Sequence, residues 1–250
     1  MKIAIISDIH GNIDALDSVL NDIKQEECTK IFCLGDIAMA GPEPKETIKK
    51  IHALMQSKDF YIIQGNTDKM LSVFSFDTLN AITETNAVMG SAYLADSKLL
   101  SNEEKTFLAE LPETKEVELF GTKILLVHGS PRKNNENIYP NMKIEEIEEI
   151  IKDTKADIIF CGHTHLPCGY QTNTNQTVVN VGSVGRPFSE SPDSCYVVME
   201  IDENTGAFQI KHKFVKYDVE KASKKILERN FEGADKLAKM LLKATSRYPE

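Results

Sequence analysis

No stretch of the 250 residues approaches the ~18 consecutive apolar residues that a membrane-crossing helix needs. The first apolar run is too short for a signal peptide and enters Asp8 and His10 at once. It reads as a buried strand. Cysteine is scarce: five residues, at 28, 33, 161, 168 and 195, an odd number in a fairly large chain. That argues against a disulfide framework and for free thiols in a cytoplasmic protein. Basic residues fall short of acidic ones, 29 Lys and Arg against 38 Asp and Glu, a net charge of −9. Neither sequence-independent nucleic-acid binding nor adhesion to an anionic membrane is helped by that balance. Internal repeats and low-complexity segments are missing too. What remains, 41% hydrophobic and 27% charged, is ordinary for a globular protein. The length suits a single α/β domain over 1–250.

Short apolar runs alternate with amphipathic stretches in the first half. Residues 2–7, 30–34 and 60–63 read as strands, and 13–26 and 45–56 as helices. Such alternation implies a largely parallel sheet covered by helices. Residues 70–112 carry no clear strand and read as a helical insertion or lid, with helices over 78–94 and 101–111. Ser101 and Glu104 make a capping box there. Residues 115–120 and 123–127 flank Gly121-Thr122 as a hairpin. A helix is expected over 143–152 and a strand over 157–161. Four further strands, 168–172, 177–181, 195–201 and 207–214, are punctuated by Gly, Asn or Pro and read as antiparallel. Residues 218–250 are expected to form C-terminal helices packing on the core. Lys221, Lys224, Lys225, Arg229, Lys236, Lys239, Lys243 and Arg247 make them basic, more simply a solvated face than a nucleic-acid surface. The expected architecture is α/β, of the α+β type: two stacked sheets with helices outside.

Five polar segments each follow directly on an apolar strand: Asp8-Ile9-His10-Gly11-Asn12, Gly35-Asp36, Gly65-Asn66-Thr67-Asp68, His128-Gly129-Ser130-Pro131 and Gly162-His163-Thr164-His165. Strand ends in α/β sheets are where ligands bind, so neighbouring strands would bring all five to one edge. Asp8, His10, Asp36, Asn66, His128, His163 and His165 form an oxygen and nitrogen donor set without cysteine. Alternate residues of an extended chain point the same way, so Asp8 with His10, and His163 with His165, are expected to act as pairs. Seven donors exceed the needs of one ion but suit two sharing a carboxylate, with Asp36 the natural bridge. The donor types fit Mn, Fe, Ni, Co or Zn rather than Ca. A glycine beside each proposed ligand permits close backbone approach. Cys161, His163, His165 and Cys168 do not have the spacing of common structural zinc sites. His52 and His212 read as ordinary helix and strand residues.

Asp-x-His, Gly-Asp, Gly-Asn, His-Gly and Gly-His-x-His, in this order over residues 1 to about 190, resemble the calcineurin-like metallophosphoesterases. Ser7–Asn12, read as Ser-Asp-Ile-His-Gly-Asn, and Asn-Val-Gly-Ser-Val-Gly at 180–185 look most like the short prokaryotic phosphodiesterase group. The resemblance implies a two-sheet sandwich of the metallo-dependent phosphatase type. It also implies one metal on Asp8, His10, Asp36 and His165, and another on Asp36, Asn66, His128 and His163. Many members have His directly after the motif Asn as the candidate general acid; here that residue is Thr67, which leaves the acid unassigned and disfavours protein phosphatases and recombination nucleases. The implied activity is metal-dependent hydrolysis of a small phosphodiester or nucleotide, with Asp36 positioning a hydroxide shared by the two ions. Arg186 and Asn12 are candidate substrate contacts. The alternatives are a phosphomonoesterase or protein phosphatase, or a weakly catalytic binding scaffold like the retromer subunit that resembles this family. All seven ligand positions are intact, which favours the enzyme. Small strand-rich proteins of this type often pair, so a homodimer stays open.

Overall fold

The computed structural model describes residues 1–246, so Arg247 lies outside the described residues. In chain order the elements are β1 (Lys2–Ile6), α1 (Ile13–Gln25), β2 (Lys30–Cys33), α2 (Pro44–Leu54), β3 (Phe60–Ile62), α3 (Asn66–Ser72), α4 (Phe76–Thr85), α5 (Ala87–Leu99), α6 (Asn102–Ala109), β4 (Lys115–Leu119) and β5 (Thr122–Leu126). Then come α7 (Ile144–Ile151), β6 (Ile158–Cys161), β7 (Cys168–Gln171), β8 (Thr177–Asn180), β9 (Ser194–Ile201), β10 (Phe208–Val215), α8 (Val219–Glu228) and α9 (Ala234–Lys243).

Among the described residues, ten strands divide into two sheets of five, ordered β10-β9-β1-β2-β3 and β4-β5-β6-β8-β7. β1, β2 and β3 are parallel, as are β5, β6 and β8. The β-strand period of two turns alternate residues to opposite faces. Ile3 and Ile5 of β1 therefore meet Ile124, Leu126, Ile158 and Phe160 of the other sheet in a shared core. Ala4 and Ile6 face the opposite way, into a larger cluster with α1, α2 and the C-terminal helices. Leu125, Ile159 and Val178 face outward onto α7 through Ile147, Ile150 and Ile151. The result is two stacked sheets between helical layers, the architecture expected from the sequence.

Three local expectations need correction. β8 is parallel to β6, and β9 belongs to the other sheet, so only β7 with β8 and β9 with β10 pair antiparallel within the series. The 78–94 helix is two helices, α4 and α5. Asn86 breaks it: its backbone is extended, at φ −156°, and its side chain caps α5 by accepting from Met89 N–H. α3 was not anticipated at all. The capping box at Ser101 and Glu104 is present. Within the 70–112 segment, Val88, Ala92, Tyr93, Leu100 and Leu108 belong to the large outer cluster, whereas α4 buries no residue.

Candidate metal centre

The loops that follow β1, β2, β3, β5, β6 and β8 meet at one edge of the sandwich. Backbone bonds stitch them: His10 N–H to Asp36 O (2.9 Å), Gly162 N–H to His128 O (2.8 Å) and Gly185 N–H to Asp8 O (3.0 Å). Asp8 and His10 do come together, Oδ1 to Nε2 3.8 Å, but not through an extended backbone, and His163 parts from His165. Asp8 (φ 55°), His10 (48°), Asp36 (55°), His163 (69°) and His165 (60°) all sit in the left-handed region. For non-glycine residues this costs roughly 1–2 kcal/mol each and persists where surrounding structure over-determines it. The left-handed turns split His163 from His165. The ring of His165 faces His10 (centroids 4.8 Å apart), and that of His163 faces His128 (5.3 Å).

Three imidazoles are oriented by backbone carbonyls. Nδ1 of His10 donates to Met39 O (2.7 Å), Nδ1 of His128 to Leu34 O (2.8 Å) and Nδ1 of His165 to Arg186 O (2.5 Å). At His10 and His165 the bond turns Nε2 inward as an electron-pair donor, the way second partners fix metal-binding histidines, and at His128 it aims Nε2 at the same centre. Nε2 of His10 and Nε2 of His165 face one another across 3.1 Å. Two lone pairs at that separation are favourable only with a cation between them, a proton or a metal ion. Asp8 Oδ1 is buried and accepts no well-formed hydrogen bond among the described residues. It lies 3.3, 3.8 and 3.9 Å from Nε2 of His165, His10 and His128. Asp36 Oδ2 lies 3.4 Å from Nε2 of His128 and 3.7 Å from that of His10. Asn66 Oδ1 is 3.0 Å from His128 Nε2. Two donor groups able to hold an ion result, Asp8–His10–His165 and Asp8–Asp36–His128. The donors present therefore fit divalent metal.

Charge follows from burial. Desolvation raises Asp8, but His165 and His128 outweigh it and hold the carboxyl at about 2. Asp36 is likewise pushed up by burial and pulled well below the carboxylate range, chiefly by His128. Burial and then His165 lower His10 to about 4, which keeps it neutral and able to coordinate at pH 7.

Asp68 closes the Gly65-Asn66-Thr67-Asp68 segment. It is fully buried in the first turn of α3. Oδ2 accepts from the N–H groups of Asp36 (2.8 Å) and Gly65 (3.0 Å), and Oδ1 from Ile37 N–H (2.8 Å). It thereby ties the β2 loop to the β3 loop. Gly65 has to be glycine: a Cβ there would lie 2.1 Å from Asp36 Oδ1.

Asn12 is fully buried as the N-cap of α1, where Oδ1 accepts from Ala15 N–H (3.2 Å) while Nδ2 donates to Gly185 O (2.9 Å) and Tyr217 Oη (3.2 Å). Both N–H bonds of its amide and one lone pair of its oxygen are thus engaged within the fold. Arg186 lies beside the centre, its guanidinium 3.3 Å from Met89 Sδ and 5.5 Å from the ring centre of Phe188, which stacks on His165. Thr67 N–H donates to Asp36 Oδ1 (2.9 Å). Cys161 sits on the outer face of its sheet, in the cluster with α7, away from the histidines. His52 is exposed against Phe107, and His212 bonds Asn180 O (2.8 Å).

The comparisons agree with this geometry. The model of the calcineurin-like phosphoesterase superfamily domain matches residues 1–204. An uncharacterized protein of Methanocaldococcus jannaschii is 31% identical over 240 residues, covering 90% of this chain and 92% of that protein. Among solved structures, a hypothetical protein of Pyrococcus horikoshii superimposes with a TM-score of 0.84 at 23% identity, over 97% of this chain and 98% of the other. A metallophosphoesterase of Sphaerobacter thermophilus does so at 0.77 and 24%, over 98% and 100%. These two likenesses speak for the fold. The ordered motifs, the histidines aimed by carbonyls around buried carboxylates and the match over most of the chain lead to one conclusion: the protein belongs to the calcineurin-like phosphoesterase superfamily, a membership that implies metal-dependent phosphoester hydrolysis.

Proposed function

We propose that the protein is a phosphodiesterase that hydrolyses a small phosphodiester or nucleotide with two divalent ions, one held by Asp8, His10, Asp36 and His165 and the other by Asp36, Asn66, His128 and His163. The observation that carries this reading is the convergence of His10 Nε2 and His165 Nε2, 3.1 Å apart, beside the buried Asp8 Oδ1. Bound there, the ions would supply a hydroxide nucleophile near neutral pH and neutralise charge on the phosphoryl oxygens. The chain's own residues do the positioning. The carbonyls of Met39, Leu34 and Arg186 keep the three imidazoles in the coordinating tautomer. Asp36 presents one oxygen to the histidines while Thr67 N–H holds the other. Arg186, whose charge is felt at His10, is the proposed phosphate contact. A threonine hydroxyl is no acid at neutral pH, so Thr67 supports esters whose leaving groups depart without a proton.

The test is hydrolysis of bis-p-nitrophenyl phosphate and p-nitrophenyl phosphate after EDTA treatment, then with Mn²⁺, Ni²⁺, Co²⁺, Zn²⁺ or Mg²⁺ restored. The expected result is metal-restored turnover with the larger kcat/KM for the diester. Preference for the monoester would make it a phosphomonoesterase. Folded protein inert with every metal would overturn the enzymatic reading.

Metal binding is expected to depend on pH. Without metal, burial disfavours a charge on His128, but Asp36 and then Asp8 outweigh it and push its pKa up to about 10. Since this folded-state value exceeds the ordinary 6.5, the stability it contributes is present below 6.5 and is lost as pH rises through 10. An ion bound at His128 must displace that proton, so its apparent affinity should rise by about tenfold per pH unit below that pKa. The gap in Tm between Mn²⁺-loaded and EDTA-treated protein is therefore expected to widen from pH 7 to pH 8.5. A gap independent of pH would refute the proton displacement.

A further inference from the structure

A buried acid on α5 reaches the metal centre through one peptide unit. Asp96 has no exposed side-chain area. Its Oδ2 accepts from Ala40 N–H at 2.8 Å. Ala40 N and Met39 O belong to the same peptide group, which is planar and rigid. That carbonyl is the one holding His10 Nδ1 at 2.7 Å. The connection thus runs from carboxylate to N–H, across the peptide to C=O, and on to imidazole. Hydrogen bonds in such a chain polarise and strengthen one another.

The second oxygen of Asp96 accepts from Arg229 Nη2 at 2.5 Å, just beyond α8. Arg229 Nη1 donates to Gly41 O at 2.8 Å, so one guanidinium grips both the acid and the loop. Its charge also sits 5.2 Å from the ring centre of Phe231. The gripped loop needs a grip. Ala40 lies in the left-handed region at φ 63°. Gly41 packs so close to His10 that an added Cβ would fall 1.5 Å from the His10 carbonyl oxygen. Small shifts at 39–41 therefore move His10.

A buried acid is a costly group to keep on α5. Burial raises Asp96 to about 6 even against the pull of Arg229. A buried ion pair is commonly no more stabilising than apolar residues of the same shape. What sets this pair apart is its partners, Ala40 N–H and Gly41 O, on the loop that carries Met39.

We infer that Asp96 is a positioning residue for His10, acting through the Met39–Ala40 peptide, and that Arg229 fixes Asp96 for that task. The consequence for metal rests on the proposed reading of His10 as a ligand. The 70–112 segment and the C-terminal helices thereby control one side of the centre.

The test uses the full chain and two readouts. In EDTA, nitrogen-15 NMR of the His10 ring reports its tautomer. Wild type is expected to carry the proton on Nδ1, and Asp96→Ala to shift population toward Nε2–H. In titrations with Mn²⁺ alone, Asp96→Asn is expected to weaken one of two ions by about 10–100-fold, the usual effect of losing an outer-shell partner, and to spare the other. Leu108→Ala, a buried α6 residue in the same outer cluster, controls for lost stability and is expected to leave tautomer and both ions unchanged. If the Asp96 variants do not fold, Arg229→Lys, which drops the fork to Gly41 O, is expected to act in the same direction and more weakly. An unchanged tautomer in the Asp96 or Arg229 variants, or equal effects from Leu108→Ala, would overturn the inference. A tautomer shift in protein that binds no ion would leave the relay standing and overturn the reading of His10 as a ligand.

Discussion

Asp36→Asn is expected to lower turnover by about 10²–10⁴-fold. Removing one group that stabilises charge at a reacting centre raises the barrier by about 3–4 kcal/mol, each 1.36 kcal/mol of which is a factor of ten, and weaker metal binding adds to the loss. The amide keeps the shape of the carboxylate. Its oxygen can still accept from Thr67 N–H, as Oδ1 does at 2.9 Å. Its nitrogen would then replace the oxygen that faces His128 and His10 at 3.4 and 3.7 Å, and an amide nitrogen does not bind a cation. Metal content separates two versions of the site. If Asp36 bridges, the variant should lose affinity for both ions together. If Asp8 is the shared ligand, as its approach to three imidazoles allows, Asp36→Asn should lose one ion and keep that between His10 and His165. Near-wild-type turnover would remove Asp36 from the chemistry altogether.

How much of this was legible in the sequence depended on distance along the chain. Each strand end was visible, because an apolar run gives way to glycine and a coordinating side chain within two or three residues. The parallel placement of β8 was not, because its partner β6 lies across an intervening strand, β7, and the turn residues near it advertise only the neighbours. The break at Asn86 was hidden by apolar spacing that continues through it, although an Asn ahead of a helical run is itself a start signal. α3 likewise had a signal, a Gly at the cap followed by Asp68 in the first turn. Asn12 reads as a substrate contact because it stands beside Asp8 and His10, and its second part, as the cap of α1, is visible only once the helix is placed. The left-handed backbones at Asp8, His10, Asp36, His163 and His165 had only a weak signature. Aspartate and histidine are enriched at φ above zero, but most of them are not there. That conformation is imposed by loops packed against one another from distant parts of the chain. For the same reason the Asp96–Arg229 pair, 133 residues apart, could not be read from either neighbourhood.

Asp68→Ala should be the most destabilising single change near the centre. Three buried N–H groups, of Asp36, Ile37 and Gly65, would lose their acceptor at once. An orphaned buried donor costs about 1–3 kcal/mol, and partial relaxation brings the sum to about 3–5 kcal/mol. For a chain of this size that corresponds to a Tm lower by roughly 6–20 °C. Asp68→Asn should fall between. An amide oxygen in the Oδ2 position keeps the bonds to Asp36 and Gly65, while its NH₂ group is set against Ile37 N–H, donor against donor. Thermal melts of the EDTA-treated proteins would show this order, wild type above Asn above Ala; an alanine variant as stable as wild type would mean that the loops hold without the acid. The consequence for the site is separate. Burial and the neighbouring Asp36 push the Asp68 carboxyl up to about 7, so it is a costly group to keep there. Its position explains why it is kept: one side chain spans the loop carrying Asp36 and the loop carrying Asn66, and sets the spacing between an oxygen from each. Metal titration of whichever variant stays folded should therefore show weakened binding at His128, Asn66 and Asp36, with the His10 and His165 side, anchored by Met39 and Arg186 carbonyls, less affected.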